Sequence, residues 1–372
     1  MKTLKFYSLF FIITLLGCTE ENYYNTTEGL GKTNVYIEGN ITDAECVEKL
    51  KNEVGSMTEN IYIGSEENGA KLTELTNLEL DIPINVKKIY FTGLYEKLKT
   101  IKIKGHGSMP LCEIYVSGGK VTESILVEGI TELKYMYAGL NGVTLSTYCN
   151  VEVNDLHEVS KGFAFTGYPG PNTANKQFTL KCNDLKYVNK NDYYDVNVTG
   201  GSIGGNFTSF SMTGLKDMSN ARLGISPIGN QVTLPALEKV QELTCSAYND
   251  YNNNLNIINF PALINANSIT CYGNYINTVN LPLLTSCAGG INIEDFVLPK
   301  INFIVPTLSY CTYYKSYIGL SSVEVNAVLN RFLTMQPVSG KIIDLHYEPA
   351  PTGQGLIDKQ TLIAQGNGVL TN

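Results

Sequence analysis

Short runs of alternating apolar and polar residues recur along most of the chain, and many of them end at glycine. Clear examples are residues 88–93, 100–105, 113–118 and 124–129. Alternation of this kind predicts β-strands with one buried face, and the closing glycine suits a backbone turn. In the first half the runs begin about ten to thirteen residues apart, which predicts two strands or corners in each coil of a repeating structure.

The second half carries a more regular repeat, in which proline follows the first apolar residue of each unit. The units start at Leu234, Phe260, Leu281 and Val305, which are 26, 21 and 24 residues apart. Apolar residues follow three and six positions later in each unit. Proline suits a corner that leaves a strand. One such unit cannot bury its apolar side alone, so the repeat predicts stacked coils that share one continuous core.

Both ends of the repeat region carry patterns typical of caps. Thr42 with Glu45, and Ser321 with Glu324, each form a capping box that predicts the start of a helix. The first helix is expected over residues 42–54, after a strand at 35–38. The second is followed by a strand at 341–347, a helix at 356–365 stopped by Gly366, and a last strand at 369–371.

These patterns divide the folded part of the chain into three regions. Residues 35–71 are expected to form an N-terminal cap, residues 72–320 an irregular repeat solenoid, and residues 321–372 a C-terminal cap. The repeats and the ending resemble those of bacterial surface leucine-rich-repeat proteins of the BspA-like type, common among Bacteroidota. The resemblance is best over residues 232–372 and looser over 72–226.

The resemblance and the patterns together predict a mainly β fold with short helices. We expect a leucine-rich-repeat-like β-solenoid with helical and strand caps. A right-handed β-helix is the alternative, above all for the first half, because the repeat length drifts and the plain leucine-rich consensus is not kept.

The beginning of the chain resembles a bacterial lipoprotein signal. Two lysines among the first five residues precede an apolar stretch at residues 6–16, which is too short to span a bilayer as a helix. Leu15-Leu16-Gly17-Cys18 then predicts a signal peptide over residues 1–17 and lipidation of Cys18. An ordinary cleaved signal with a chance cysteine is the alternative.

The residues after Cys18 suggest where the anchored protein lies. Glu20 and Glu21 resemble the surface-export signal of Bacteroidota lipoproteins, which implies the outer membrane with the protein facing outside the cell. The polar residues that follow complete a tether over residues 18–34. The membrane is therefore an expected partner through the lipid anchor.

Charge and cysteine content narrow the choice of partners and chemistry. The net charge is −8 and the basic residues are scattered, so nucleic acid is not expected as a partner. Besides Cys18 there are eight cysteines and no C-x-x-C pair. We expect small buried hydrophobes at repeat positions, with a disulfide framework as the alternative in an exported protein.

The sequence contains no recognisable catalytic arrangement. Its three histidines are far apart, and neither H-E-x-x-H nor G-x-S-x-G occurs. The glycine-rich residues 200–205 lack the lysine and the following helix of a phosphate loop, and are expected to form a corner. Acidic pairs such as Glu66-Glu67 and Glu294-Asp295 are expected to lie in solvated loops. We therefore expect a protein that is not an enzyme and needs no cofactor or metal.

Tyrosine and asparagine crowd the expected corners between later repeats. Rigid tyrosine faces and adaptable asparagine amides are typical of recognition surfaces, although corner-turning asparagines and half-buried tyrosines would give the same pattern. The candidate ligand-binding residues are Tyr248, Tyr251, Tyr272, Tyr275, Tyr313 and Tyr314. With the resemblance, they imply a surface-anchored binding protein for a macromolecular partner, used in adhesion or cell-surface interaction. The alternative is a glycan-binding lipoprotein of a nutrient-uptake system.

Overall fold

The part of the chain that the structure describes is a mainly β, parallel solenoid of about 11 turns with three short helices. This confirms the fold class predicted from the alternating runs. The strands of neighbouring coils pair in parallel, and their inward apolar side chains stack on those of the next coil. The computed structural model describes residues 30–64, 71–92, 95–140, 143–167, 177–189, 200–205, 207–226, 231–247, 257–273, 276–294 and 302–372.

The elements are numbered in chain order. The helices are α1 (Asp43–Glu53), α2 (Ser322–Phe332) and α3 (Gln354–Ala364). The strands are β1 (Asn34–Ile37), β2 (Asn60–Ile63), β3 (Asn77–Asp81), β4 (Lys88–Phe91), β5 (Thr100–Ser117), β6 (Ser124–Gly139), β7 (Tyr148–Val153), β8 (Glu158–Gly167), β9 (Gln177–Lys181), β10 (Tyr187–Val188), β11 (Gly200–Gly205), β12 (Ser209–Ser211), β13 (Asp217–Ile225), β14 (Gln231–Thr233), β15 (Lys239–Ala247), β16 (Ile257–Asn259), β17 (Asn265–Gly273), β18 (Thr278–Asn280), β19 (Ser286–Glu294), β20 (Asn302–Ile304), β21 (Tyr310–Cys311), β22 (Tyr313–Tyr317), β23 (Ile342–Leu345) and β24 (Gly368–Thr371).

One parallel sheet, here called the front sheet, extends from β1 to β24. It joins β1, β2 and β4 to the second halves of β5 and β6, and continues through β8, β11, β13, β15, β17, β19, β22 and β23. Its inward residues stack in register and are fully buried, as in the series Val35, Ile61, Ile89, Ile114 and Met136. Because side chains alternate along a strand, the residues between them face outward.

A second sheet, the back sheet, lies on the opposite part of each coil. It contains β3, the first halves of β5 and β6, then β7, β9 and β12. In the later coils the equivalent strands are β14, β16, β18 and β20. A narrow side ladder of short pairings, such as Lys239 with Asn265, lies between the back and front strands of each later coil.

The predicted proline corners lie between the back sheet and the side ladder. In each, the backbone N–H of the second apolar residue donates to the carbonyl of the first, as from Leu237 to Leu234 at 3.4 Å and from Leu263 to Phe260 at 3.2 Å. All four of these residues are fully buried. The prediction of inward-pointing apolar residues at a proline corner is therefore confirmed.

Two local predictions in the first half are wrong. The runs at residues 100–105 and 113–118 are not separate strands but the two ends of β5, which bends at irregularities between Lys104 and Glu113 and stays paired with β6. Residues 200–205 are strand β11 of the front sheet, not a corner. Such bends carry the chain from one sheet to another without leaving the ladder.

All eight cysteines outside residues 1–29 are free and buried. Several occupy equivalent places in successive coils, since Cys245 pairs with Cys271 on the front sheet and Cys287 with Cys311 on the side ladder. This confirms buried thiols at repeat positions over a disulfide framework. Burial raises the pKa of these thiols, to about 12 for Cys112, Cys149 and Cys182, so they remain protonated.

The helical and strand caps are present at both ends. Thr42 and Ser321 each cap a helix, and both capping boxes are complete. Gly366 ends the last helical segment with φ of +85°. The cap strands β1, β23 and β24 extend the front sheet. The two caps therefore complete the same sheet that the repeats build.

Candidate functional site

The structure describes three of the six tyrosines predicted from the corners, and these three do not form one surface. Tyr248, Tyr251 and Tyr275 lie outside the described residues, as does Cys18. Tyr272 and Tyr313 are half-buried on β17 and β22, with β19 between them.

Tyr314 is a correction to the predicted set, because only 5 % of its surface is exposed. Its ring lies inside the solenoid, with its centroid 5.3 Å from that of Phe332 and 6.5 Å from that of Phe303. It points inward because it follows the outward Tyr313 along the strand. Tyr314 therefore stabilises the C-terminal cap and is not available to a ligand.

A different set of tyrosines forms a continuous row on the outer face of the front sheet. They occupy the same register position on five successive strands, and each side chain is partly exposed. This tyrosine row consists of Tyr36, Tyr62, Tyr90, Tyr115 and Tyr137. Its spacing follows from the separation of paired strands, about 4.8 Å.

Neighbouring rings of the row contact one another across three coil boundaries. Tyr36 and Tyr62 stack with their centroids 5.1 Å apart and their planes within 14°. Tyr90 and Tyr115 meet edge-to-face at 5.8 Å. Tyr115 also lies 5.3 Å from Tyr135, which stands beside the row on β6. Such pairs each contribute about 0.5–1.5 kcal/mol, so the row is held in a fixed arrangement before any ligand arrives.

Lys88 lies within the row. Its Nζ is 4.9 Å from the ring centroid of Tyr90 and 5.8 Å from that of Tyr62. A cation at this distance from a ring face is attracted by the ring quadrupole. Within the described part of the chain, the ammonium of Lys88 has no carboxylate within ion-pair distance and lies instead over two aromatic rings.

Glu113 contacts both the middle of the tyrosine row and the lysines beside it. Its carboxylate accepts from Lys134 Nζ at 2.8 Å and from the hydroxyl of Tyr115 at 3.1 Å, and Lys161 Nζ lies 3.9 Å away. Burial alone would raise the pKa of Glu113, but these donors and the lysine charges lower it. Burial and the neighbouring carboxylate raise the pKa of Tyr115 to about 12, so its hydroxyl stays a donor.

Tyr137 is the last tyrosine of the row, and its ring lies along its own strand over Gly139. A Cβ added to Gly139 would be 2.3 Å from Tyr137 Oη, so only glycine leaves room for the ring there. The hydroxyls of Tyr137 and Thr166, on the next front strand, are 3.2 Å apart. The ring therefore covers Gly139 and joins two coils.

Beyond Tyr137 the same register position holds only small residues over six strands. They are Ala164, Ser202, Gly224, Thr244, Thr270 and Asn292. This small-residue strip continues the outer face of the front sheet without a large side chain at its centre line. The outer face thus combines an aromatic row with a flat polar strip.

The back sheet has a different outer surface. Lys102 lies 3.4 Å from Glu79 and 3.0 Å from Glu128, which sit on the strands to either side. These charged side chains are partly exposed and form ion pairs between neighbouring coils, as is common on solvated protein surfaces. The tyrosine row therefore lies on one side of the first coils.

Groups able to perform other chemistry are few in the described part of the chain. No group of three or more His, Cys, Asp or Glu side chains there could hold a metal ion. Glu294 forms an ion pair with Lys315 at 2.6 Å, whereas Glu66, Glu67 and Asp295 lie outside the described residues. Among the described helices, none has the length and apolar character needed to cross a bilayer.

No protein-family model, curated protein or solved structure matches the chain. The candidate binding features in the described part of the chain are the tyrosine row, Lys88 and the small-residue strip.

Proposed function

We propose that this protein is a surface-anchored, non-enzymatic binding protein that holds a macromolecular partner against the outer face of its front sheet. The observation that carries the proposal is the tyrosine row. Tyrosine gives a large contact area for little loss of side-chain entropy, and it carries a hydroxyl that can bond to a partner. Mutual ring contacts fix the row in advance, which lowers the entropic cost of binding.

The remainder of the front face supports the same proposal. Glycine, serine, threonine and asparagine continue the outer face beyond the aromatic row, a composition typical of recognition surfaces. The solenoid is a rigid support, because each coil is paired with its neighbours along its length. A flat, extended and rigid surface suits a macromolecule better than a small ligand, which is bound in a concave pocket.

The proposed location rests on the first residues of the chain. Lipidation of Cys18 would anchor the protein in the outer membrane, and the acidic Glu20 and Glu21 favour exposure outside the cell. The proposed relationship to BspA-like leucine-rich-repeat proteins rests on the repeat spacing and the C-terminal cap. Adhesion or another cell-surface interaction is the role that fits both.

A glycan-binding role in nutrient uptake is the second candidate function. The specific observation in its favour is Lys88 among the rings of the tyrosine row. Aromatic side chains next to polar and charged donors offer both apolar contact and hydrogen bonds to a sugar chain. This role uses the same surface, so one set of variants addresses both candidates.

Binding of the full chain to a fixed panel tests the proposal. The panel contains immobilised extracellular-matrix proteins and a set of polysaccharides, and the variant is Tyr90→Ser with Tyr115→Ser. Removal of two aromatic anchors should weaken binding to the recognised member by at least about tenfold. Tyr148→Ser is the matched control, because Tyr148 is 50 % exposed on the back sheet. Equal loss in the control, or no loss in the double variant, would refute the proposal.

A further inference from the structure

Lys88, beside the tyrosine row, differs from many other lysines of the solenoid. Several of those face a carboxylate of the adjacent coil, as Lys87 faces Glu59 at 2.7 Å and Lys99 faces Glu123 at 3.5 Å. The Lys88 ammonium lies over the rings of Tyr62 and Tyr90 and, in the part of the chain that the structure describes, has no carboxylate within ion-pair distance. A half-buried ammonium without a counter-ion is available to an anion from outside.

A second excess of positive charge lies further along the row. Lys134 and Lys161 share the single carboxylate of Glu113, at 2.8 and 3.9 Å, and Lys161 also lies 5.9 Å from the ring of Tyr135. Together with Lys88, three ammonium groups therefore lie along the row with the carboxylate of Glu113. These three lysines outnumber the one carboxylate that two of them share, although the whole chain carries a net charge of −8.

The local charge decides what approaches the row. At physiological ionic strength the screening length is about 8 Å, so the acidic residues of distant coils contribute little at this surface. A ligand that fits must carry anionic groups and must also offer apolar or hydroxyl-bearing surface to the rings between them. Sugars that bear carboxylate or sulfate have both properties.

The spacing of the lysines favours a polymer. Lys88 lies on β4 and Lys161 on β8, three front-sheet strands further on, which separates their backbone positions by about 14 Å along the solenoid at about 4.8 Å per strand. A chain with repeated anionic sugars, laid along the row, places successive charges at each.

We infer that the tyrosine row binds an acidic polysaccharide, with Lys88 and Lys161 contacting its carboxylate or sulfate groups and the tyrosines contacting the sugar rings. This inference rests on the proposed binding function and specifies its partner. The chemistry is common to uronic acid polymers and sulfated polymers, and experiment can separate the two. A protein partner at the same row is the competing outcome.

Affinity electrophoresis of the full chain in detergent tests the inference. Native gels contain polygalacturonate, dextran sulfate or neutral dextran as the probe. The acidic gels should retard the protein, and neutral dextran should not. Retardation in polygalacturonate alone identifies a carboxylate ligand, and retardation in dextran sulfate alone identifies a sulfated one. Added NaCl should weaken the retardation, because the lysine contacts are partly exposed.

Lys88→Gln and Lys161→Gln remove the charge and keep a polar side chain. Each should raise the dissociation constant in the acidic gel about two- to five-fold, as expected for a partly exposed charge contact. Lys181→Gln is the matched control, because Lys181 is exposed on the back sheet. It should leave retardation unchanged, and the thermal midpoints of all three variants should match that of the parent.

The outcomes separate the inference from the proposed function. Equal retardation by neutral dextran, or equal loss in Lys181→Gln and Lys88→Gln, overturns the acidic-polysaccharide inference. Binding to a protein of the panel that depends on Tyr90 and Tyr115, with no retardation in either acidic gel, overturns the inference and leaves the binding function standing. Absence of binding in both experiments overturns both.

Discussion

At the scale of single residues, polar side chains fasten the N-terminal helix to the solenoid. Asp43, at the start of α1, accepts hydrogen bonds of 2.6–3.1 Å from the backbone and side chains of Thr76 and Asn77. Burial alone would raise the pKa of Asp43, but these four hydrogen bonds lower it to about 2. Asp43 therefore remains charged well into the acid range and holds α1 beside β3.

Replacement of Asp43 should make the chain less stable in a pH-dependent way. The pKa in the folded chain lies below the unfolded value near 4, so the stabilisation is complete above about pH 4 and is lost as pH falls toward 2. Since the site is partly solvated, Asp43→Ala should lower the free energy of unfolding by about 1 kcal/mol at neutral pH, and by less near pH 2. Urea denaturation at both pH values measures this, and an equal loss at both would contradict it.

Position 162 of the front sheet requires glycine, whereas position 224 does not. Gly162 has φ of +148°, and a Cβ there would lie 2.2 Å from the carbonyl oxygen of Gly200 on the next coil. Gly162→Ala should therefore lower the free energy of unfolding by about 2 kcal/mol. Gly224→Ala is the control on the same face, since its Cβ would have no neighbour closer than 3.9 Å. Equal unfolding midpoints for the two variants would contradict the close approach at Gly162.

At the scale of elements, the caps depend on local hydrogen bonds at helix starts. The hydroxyl of Ser321 accepts from the backbone N–H of Glu324 at 3.3 Å, and the carboxylate of Glu324 accepts from the N–H of Ser321 at 2.9 Å. Ser321→Ala should cost about 1 kcal/mol of unfolding free energy. Thermal denaturation followed by circular dichroism checks this. Ser321→Asp, which retains a capping oxygen, should restore most of the loss, and no difference between the two variants would argue against the cap.

Elements with local signals could be predicted from the sequence. The capping boxes, the proline corners and Gly366 each act within a few residues of one another, so their patterns were sufficient. The tyrosine row was not predicted, because it depends on the register of five strands separated by coils of unequal length. Its signal was nevertheless present, since Tyr36, Tyr62, Tyr90, Tyr115 and Tyr137 each lie between two apolar residues of an alternating run. Aligning those runs would have placed them in one column.

Two buried charges of the C-terminal cap had no sequence signal. Lys341 is fully buried, and its Nζ donates to the carbonyls of Met335, Pro337 and Val338 at 2.7–3.2 Å. Glu348 is also buried, and its carboxylate accepts from Ser316 and from the backbone N–H of Ile318. Both roles depend on loop backbone geometry, which no residue pattern specifies.

At the scale of the whole molecule, the solenoid separates a buried thiol series, a polar back surface and an aromatic front surface. The separation follows from the parallel stacking of coils, which repeats each register position along the axis. The front face is therefore a property of many coils together. A partner that lies along it would contact residues that are far apart in the sequence.

The thiols give a test of both the fold and the anchor. The full chain, extracted from membranes, should show no reactive thiols while folded and eight when unfolded, because all eight described cysteines are free and buried. Lipidation of Cys18 would leave that residue unreactive, whereas nine reactive thiols would argue against lipidation. Fewer than eight would indicate disulfides. Cys18→Ala should keep eight thiols and move from the membrane to the soluble fraction.

The most direct test of the central claim is covalent labelling of tyrosines, read by mass spectrometry, on the full chain with and without the panel member that it binds. Tyr90 is 37 % exposed on the front face, and Tyr148 is 50 % exposed on the back. The account predicts that the bound partner protects Tyr90 from labelling and leaves Tyr148 as reactive as before. Protection of Tyr148 with Tyr90 unchanged would contradict the assignment of the front face as the binding surface.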